Sequence, residues 1–416
     1  TDGDHGMMRQ LDTGSPAFSS ELSAAIDHAG LISDEVQQTV SGIIQTVRQS
    51  GDQALLQYAE KYDEFSPASI ESLRVSKPEM AAACSLISEA VNDALRLASD
   101  RIGDYHQRQL EALGQSWEFQ DSLGNVLGQR VQPMARVGVY APGGKAYYPS
   151  TVLMTAIPAK VAGVASVALA VPAKGGLISP VLLAAAHYAG VDEIWIMGGA
   201  QAIAAMAYGT ESVRAVDKIC GPGNVFVTAA KKQVYGDVGI DMLAGPSEVL
   251  VVADDSARVD WVIADLLAQA EHDEQAQAIV VSQSAALLNA IQAGLSDAIA
   301  SQPRRAMIET SLRHRGLLIH AENRTALVSV INQIAPEHLE LAMTDPESLL
   351  PDIRAAGAIF LGQYSPEVVG DYTAGPSHVL PTSGTARFAS ALGVYDFQLR
   401  QSLIHCSKQG GREIAR

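Results

Sequence analysis

The stretch that decides the fold covers residues 136–171 and reads RVGVYAPGGKAYYPSTVLMTAIPAKVAGVASVALAV. A short run rich in β-branched residues, 137–140, is followed by a glycine-containing turn at 142–144. A tightly packed helical segment of small apolar residues then leads to a second β-branched run, 167–171. The order of strand, helix and strand predicts a βαβ unit, which is the building block of a parallel sheet.

The same alternation continues through the C-terminal half of the chain, where residues 259–270 are the clearest helix. The further predicted strands are residues 194–197, 218–220, 249–252, 278–281, 317–319 and 358–361. We therefore expect an α/β protein with two Rossmann-like domains, each a parallel sheet flanked by helices. No internal sequence repeat marks the two domains.

The N-terminal part of the chain is predicted to be helical. Apolar residues recur at helical spacing over 36–47, after a capping Ser33, and stop at Gly51. A second helical stretch is predicted to begin near Pro78, which is acceptable in a first turn, and to run toward Tyr105.

Glycine-rich turns at 142–144 and 245–246 bracket the first series of strands and suggest the domain boundaries. The predicted divisions are a helical N-terminal arm, 1–33, a discontinuous α/β domain, 34–137 and 249–392, an inserted Rossmann-like domain, 138–248, and a C-terminal extension, 393–416.

Composition excludes several classes of protein. A chain of 416 residues with 47% hydrophobic residues exceeds one ordinary core. A net charge of −17 repels nucleic acid and anionic membrane surfaces. The most apolar stretch, 152–171, is interrupted by a proline and a lysine, which argues against a membrane span. Cys84, Cys220 and Cys406 form no CxxC pair, so we expect a cytoplasmic protein without disulfides or a thiolate zinc site.

Two loops that join a predicted strand to a helix are candidates for ligand binding, because ligands of parallel sheets gather at the carboxyl ends of strands. Gly221-Pro222-Gly223-Asn224 precedes the helix 225–234, whose first backbone N–H groups suit a phosphate. Phe226 stands where the dinucleotide fingerprint needs a third glycine. Residues 198–201, Gly-Gly-Ala-Gln, are a similar case. A plain turn at a helix start is the alternative at both loops.

Gln269 and His272 end the helix 259–270 and lie three residues apart, so their side chains can aim at one point. An amide oxygen and an imidazole nitrogen can ligate a divalent metal ion. Asp371 adds a carboxylate in a glycine-flanked loop, and His378 follows it. A mixed nitrogen and oxygen set favours Zn²⁺ over Ca²⁺ or Mg²⁺. A polar helix end with a solvated histidine is the alternative.

Pro336-Glu337-His338 places a carboxylate next to an imidazole, and both groups can transfer protons near neutral pH. A surface glutamate beside a packed histidine is the alternative. Ser247 follows Ala244-Gly245-Pro246 and can hydrogen-bond a substrate, but no partner at a hydrolase spacing marks it as a nucleophile.

Taken in order, these motifs resemble the histidinol dehydrogenase family from about residue 20 to the end of the chain. The matching segments are residues 137–144, 198–202, 218–224, 244–248, 269–272, 336–338, 370–372 and 375–382. The resemblance implies oxidation of L-histidinol to L-histidine by two successive hydride transfers to NAD⁺, through bound L-histidinaldehyde.

The resemblance also implies a role for each candidate residue. Gln269, His272 and Asp371 would ligate the zinc ion and, with Ser247, His338 and His378, contact the substrate. His338 would be the general base, and Glu337 would activate the water that hydrates the aldehyde. Tyr140, Gln201 and Asn224 would contact NAD, which the family binds without the usual fingerprint.

A homodimer with an active site shared between subunits is implied as well. In the family, a zinc-ligating histidine and a substrate-binding glutamate come from a C-terminal tail of the neighbouring subunit. His405 stands in a different context, so we expect the native protein to carry such a tail after Arg416.

The open alternatives are a related zinc and NAD dehydrogenase of another small polar alcohol, a zinc hydrolase, and a non-catalytic metal or nucleotide binder.

Overall fold

The computed structural model describes residues 6–27, 32–143 and 148–415, so Gly144 of the predicted turn lies outside the described residues. The strands are β1 Arg9–Asp12, β2 Arg74–Val75, β3 Trp117–Gln120, β4 Val126–Pro133, β5 Arg136–Tyr140, β6 Ser166–Val171, β7 Glu193–Ile196, β8 Lys218–Cys220, β9 Gly239–Ile240, β10 Glu248–Ala253, β11 Gln277–Ser282, β12 Leu317–His320, β13 His338–Ala342, β14 Ala358–Leu361 and β15 Gln398–His405. The α-helices are α1 Phe18–Ala25, α2 Asp34–Asp63, α3 Lys77–Ala83, α4 Glu89–Leu113, α5 Pro149–Val161, α6 Pro180–Tyr188, α7 Gly199–Tyr208, α8 Val225–Val234, α9 Val259–Ala270, α10 Ala285–Ala300, α11 Arg305–Arg315, α12 Arg324–Ile334 and α13 Lys408–Ile414.

The chain forms two compact units. The first unit comprises Thr1–Leu31, Met242–Asp371 and Leu380–Ala391. The second unit comprises Ile32–Asp241, Tyr372–Val379 and Leu392–Arg416. No helix in the described parts of either unit is long and apolar enough to cross a membrane.

The second unit is built on a sheet with the strand order β2-β7-β6-β5-β8-β9. Strands β5 to β9 are parallel, and β2 is antiparallel to β7. The chain moves outward from β5 through β6 and β7 and then returns to β8 on the other side of β5. This reversal creates a switch point between the carboxyl ends of β5 and β8. The strands predicted between residues 137 and 220 are confirmed to within one residue.

The first unit contains a fully parallel sheet with the order β1-β12-β11-β10-β13-β14. Here the chain moves outward from β10 through β11 and β12 and returns to β13 on the other side of β10. The five strands from β10 to β14 therefore repeat the order of β5 to β9. The predicted N-terminal arm supplies the helix α1 and also an edge strand, β1, that the sequence analysis did not predict.

The central strand β13 was also not predicted. Its sequence, HLELA, alternates charged and apolar residues in a way that is typical of a half-exposed strand. All five residues are buried: β10 and β14 hydrogen-bond to the strand on its two sides, and Leu339 and Leu341 pack in a hydrophobic core.

The first helical segment breaks at Gly51, as predicted. Gly51 has φ 50° and ψ −128°, which are not helical values, and a second helical segment of α2 then continues to Asp63. Glycine adopts this positive φ without a steric cost. The second predicted helix is divided into α3 and α4, because Ser88 caps a new helix by accepting a hydrogen bond from the Val91 N–H.

The two units do not follow the predicted domain boundaries. Residues 34–137 were expected to join residues 249–392, but they belong to the second unit. The apolar stripe of α2, which includes Val40 and Val47, packs with α7 and α8 in one hydrophobic core. Strand β2 hydrogen-bonds to β7 in the same unit. Helical periodicity shows that a helix has an apolar face, but it does not show which sheet that face covers.

The C-terminal extension forms part of the second unit. Strand β15 pairs with β4 along its whole length, from Gln398 opposite Pro133 to His405 opposite Val126. With β3, these strands form an antiparallel sheet in the order β15-β4-β3. The short helix α13 follows β15, and Ser407 caps its first turn.

Candidate active site

Three of the predicted site residues lie at the amino ends of strands in the first unit. Ser247 directly precedes β10, Glu337 directly precedes β13, and His338 is the first residue of β13. The parallel register pairs Val249 with His338, so the parallel strands bring the three residues to one edge of the sheet. The expectation that site residues follow the carboxyl ends of strands therefore does not hold for them.

Gln269 and His272 reach the same edge from a helix. Helix α9 connects β10 to the parallel strand β11, so it runs back across the sheet and ends at the amino ends of the strands. Gln269, in its last turn, is fully buried, whereas His272 follows the helix and is exposed. The His272 N–H donates to the Gln269 carbonyl oxygen at 3.3 Å, which continues the helical turn to the histidine.

Glu337, His338 and Glu248 form a buried hydrogen-bonded group. The Glu248 backbone N–H donates to Oε2 of Glu337 at 2.9 Å. Nδ1 of His338 lies 3.0 Å from the carbonyl oxygen of Glu248 and 3.6 Å from Oε2 of Glu337. Because a carbonyl oxygen only accepts hydrogen bonds, Nδ1 carries a proton, and in the neutral imidazole the lone pair is on Nε2.

The loop of residues 380–391 contacts the group of Glu248, Glu337 and His338 from another side. The Ser383 backbone N–H donates to Oε1 of Glu248. The hydroxyl of Thr382 accepts a hydrogen bond from the Gly245 N–H at 2.7 Å, which fixes the turn before Ser247. Ser247 is half-buried, and its carbonyl oxygen accepts the Gln277 N–H at 2.9 Å. The backbone around Ser247 is thus held by strands and loops of its own unit.

Carboxyl groups crowd this edge of the sheet. Burial raises the pKa of Glu337 well above its usual value; the hydrogen bond from Glu248 lowers this pKa, and the charges of Glu248 and Asp371 raise it. Burial raises the pKa of Glu248 to about 7. Burial also raises the pKa of Asp371, while the nearby His272 lowers it. A cation bound here would favour the ionised form of each of these groups.

Three further acidic side chains, which the sequence did not predict, extend this cluster of carboxyl groups into the core. Asp265 of α9 hydrogen-bonds to Glu340 of β13, and burial raises the pKa of Glu340 to about 9. Glu367 is buried near Asp371 and Glu337, and burial raises its pKa well above the usual value. The glutamate within the apolar residues of β13 was a signal for this cluster in the sequence.

The predicted metal ligands fit a metal ion in one specific respect. Both polar atoms of the Gln269 amide are buried and have no hydrogen-bond partner among the described residues. A buried amide without a partner costs free energy, and a metal ion at its oxygen would remove that cost. No group of three or more His, Cys, Asp or Glu side chains in the described ranges is arranged to hold a metal. The predicted set contains two such residues, His272 and Asp371, beside the amide.

The predicted cofactor contacts lie in the second unit, near the carboxyl ends of its strands. Tyr140 ends β5, is buried, and accepts the Gly199 N–H at 3.1 Å with its hydroxyl oxygen. Gln201 lies buried in the first turn of α7. Asn224 caps α8, and its Oδ1 accepts the N–H groups of Phe226 and Val227, both at 3.1 Å.

His378 also belongs to the second unit, although the sequence analysis assigned it to the domain of the metal ligands. It is half-buried, and burial lowers the pKa of its imidazole to about 4. The neutral imidazole therefore predominates at physiological pH, which suits a hydrogen-bonding contact with a polar ligand.

Comparisons with known proteins agree with the motifs at these edges. A family model described as histidinol dehydrogenase matches residues 28–416. Histidinol dehydrogenase of Pseudomonas savastanoi pv. phaseolicola is 49% identical over 409 residues, which cover 98% of this chain and 91% of that protein. Histidinol dehydrogenase of Psychrobacter arcticus is 49% identical over 410 residues, covering 98% and 94%.

The fold agrees as well. The crystal structure of histidinol dehydrogenase from Elizabethkingia anophelis matches with a TM-score of 0.92 at 34% identity, over 99% of this chain and 93% of that one. This chain therefore belongs to the histidinol dehydrogenase family and is an enzyme, an oxidoreductase.

Proposed function

We propose that this protein oxidises L-histidinol to L-histidine, the last steps of histidine biosynthesis, with a zinc ion held by Gln269, His272 and Asp371 and with NAD⁺ as the hydride acceptor. The observation that carries the proposal is the buried pair of Glu337 and His338 at the sheet edge where the unpartnered amide of Gln269 also ends. Family membership supplies the substrate, since the relatives are named for histidinol.

Zinc, when bound, supplies a positive charge that orients and polarises a substrate's polar groups. Gln269 offers a buried amide oxygen, and His272 lies close enough to Asp371 to lower the pKa of its carboxyl group. A site with one amide, one imidazole and one carboxylate leaves a ligand position for the substrate and for a further protein group.

His338 removes the proton of the substrate's alcohol group, because its Nδ1 proton is held by the Glu248 carbonyl oxygen and its basic lone pair is on Nε2. A bound NAD⁺ would supply the acceptor for the hydride that leaves the alcohol carbon, and the alcohol would become an aldehyde. Glu337 takes a proton from the water that adds to this aldehyde. Once the former aldehyde oxygen has taken up a proton, the resulting diol would give a hydroxyl proton to a base and a second hydride to another NAD⁺, which yields the carboxylic acid and a second NADH. Ser247 and His378 contact the polar groups of the substrate.

NAD⁺ binds in the second unit at the switch point between β5 and β8. The strand order of this sheet is the one that leaves a crevice for a dinucleotide at the carboxyl ends of the strands. Tyr140, Gln201 and Asn224 lie around this crevice, and the first turn of α8 offers backbone N–H groups to a phosphate.

The functional form is a homodimer in which the partner subunit completes each zinc site. The sheet of β15, β4 and β3 supports this proposal, since its outer strands expose large apolar side chains to solvent. Trp117 and Phe119 of β3 and Ile404 of β15 are exposed. Phe119 and Ile404 both pair with Leu127 of β4, so these side chains lie on one face of the sheet. Contiguous apolar surface of this kind marks a protein interface. The free cysteines Cys84, Cys220 and Cys406 fit a cytoplasmic protein.

An absorbance assay tests the proposal. Purified protein is loaded with Zn²⁺, and NADH formation is followed after L-histidinol and NAD⁺ are added. The expected result is about two NADH for each histidinol consumed, because alcohol and aldehyde are both oxidised. A folded, zinc-loaded dimer that forms no NADH from histidinol would refute the proposal. NADH from another small polar alcohol but not from histidinol would indicate a related dehydrogenase.

A further inference from the structure

A buried ion pair lies beneath the loop that follows β8 in the second unit. Lys231 of α8 and Asp241, which follows β9, pair through Nζ and Oδ1. Their side chains are only 2% and 1% exposed. Removing two charges from water carries a large desolvation cost, so a buried pair needs further hydrogen bonds to compensate. The partner that supplies these bonds is the backbone of Gly221.

Both members of the pair hold the same residue. Nζ of Lys231 donates to the Gly221 carbonyl oxygen at 3.0 Å. Oδ2 of Asp241 accepts the Gly221 N–H at 2.7 Å. The ion pair therefore fixes both backbone polar groups of a single glycine.

Gly221 also touches the end of β5. Its φ is 114°, and a Cβ atom on it would lie 2.1 Å from the carbonyl oxygen of Tyr140. Only glycine allows the two strand ends to approach this closely. The pair thus holds the start of the loop 221–224 directly against the strand on the other side of the switch point.

The same contacts determine what the loop can offer a ligand. The Gly221 N–H is already bound by Asp241, and the charge of Lys231 is neutralised by Asp241. Neither group is therefore suited to bind a phosphate directly. The groups left for an anion are the N–H groups at the start of α8, and their position depends on where Gly221 holds the loop.

We propose that Lys231 and Asp241 are positioning residues for NAD⁺, which hold Gly221 so that the loop 221–224 and the first turn of α8 meet the dinucleotide at the switch point. The inference rests on the proposed function, since that function places NAD⁺ at this crevice. It adds two residues that do not touch the ligand and act only through the loop.

A matched control exists in the same sheet. Arg136, the first residue of β5, pairs with Glu193, the first residue of β7, and the side chains are 9% and 13% exposed. This pair lies at the amino ends of the strands, on the edge opposite the loop. Glu193 also pairs with Arg74 of β2, so E193Q weakens two ion pairs of the same sheet without touching Gly221.

The test compares K231M, D241N and E193Q with the wild-type protein. Calorimetric titration gives the Kd of NAD⁺, and steady-state kinetics give the KM values of NAD⁺ and histidinol separately. We expect K231M to raise the Kd and KM of NAD⁺ about tenfold and D241N about threefold, with the KM of histidinol little changed. E193Q should lower the thermal midpoint but leave the Kd of NAD⁺ unchanged.

Each other outcome has a defined meaning. Wild-type protein that binds NAD⁺, with K231M and D241N binding it equally well, overturns this inference alone. An equal loss of NAD⁺ affinity in E193Q also overturns it, because the effect would then follow from lost stability. If K231M does not fold, the isosteric D241N decides between these results. Wild-type protein that neither binds NAD⁺ nor forms NADH overturns both this inference and the proposed function.

Discussion

The two six-stranded sheets share the same order for five parallel strands, but their candidate residues lie at opposite ends of the strands. In the second unit, Tyr140 and Asn224 follow strands, near the carboxyl ends and the amino end of helix α8. In the first unit, Ser247 and Glu337 precede strands, and Gln269 ends a helix. Helix amino ends attract anions, whereas helix carboxyl ends attract cations. One topology can thus carry the proposed phosphate site at one edge and the proposed metal site at the other, depending on which edge carries the polar residues.

The largest expected effect comes from removing the proposed base at the amino edge of the first sheet. We expect H338N to lower kcat by about 10³-fold, which is within the range for loss of a general base, and to leave the zinc content unchanged. Rapid kinetics with histidinol and metal analysis of the purified variant check this. A variant with normal turnover would show that the amino edge does not carry the proton transfer.

The next prediction separates the proposed zinc ligands of the first unit from the proposed NAD⁺ contacts of the second unit. We expect H272N to weaken zinc binding by about 100-fold, since even outer-sphere partners of metal ligands cost 10–100-fold. The Kd of NAD⁺ for the metal-free variant should stay at the value of the metal-free wild type, because the contacts proposed for NAD⁺ lie in the other unit. Zinc competition with a chelating dye and NAD⁺ titration measure the two quantities. If H272N lost zinc affinity and NAD⁺ affinity together, the two proposed sites would not be independent.

A smaller effect is expected at Asn224, one of the proposed NAD⁺ contacts. N224A removes the cap of α8 and should lower the free energy of unfolding by about 1 kcal/mol while raising the Kd of NAD⁺. S284A is the matched control, because Ser284 caps α10 in the first unit through the Leu287 N–H. Urea denaturation should show a similar loss of stability in both variants. If S284A also raised the Kd of NAD⁺, the effect of N224A would reflect stability and not the phosphate site.

The smallest effect concerns the buried carboxyl cluster of Asp265, Glu340 and Glu367 in the first unit. Burial raises the pKa of Glu340 to about 9, so the folded protein binds a proton that the unfolded chain releases above its usual pKa near 4.5. The contribution of Glu340 to stability is therefore full at low pH and is lost as the pH rises through this window. In urea denaturation of metal-free protein, E340Q should show a shallower fall in stability between pH 5 and 9 than the wild type. An equally steep fall in E340Q would assign the pH dependence to other groups.

The sequence predicted most of the regular structure near the glycine-rich loops. The strands 137–140 and 218–220 and the helix 225–234 were confirmed, because β-branched runs next to glycine turns are local signals. β13 escaped prediction because its charged residues, His338 and Glu340, occupy a strand that is buried on both sides. A local pattern cannot report that a charged residue will be enclosed by strands distant in sequence.

By itself, the sequence determined the strand-and-helix alternation and the order of the polar motifs that identify the family, since both depend on neighbouring residues. The tertiary structure decided that α2 packs with α7 and α8 of the second unit and that Glu337 and His338 lie at the amino ends of strands in the first unit. It also decided that Gly221 is held by Lys231 and Asp241. Strand register brings together residues about 90 positions apart, such as Glu248 and Glu337. Burial then changes the pKa of such residues through desolvation.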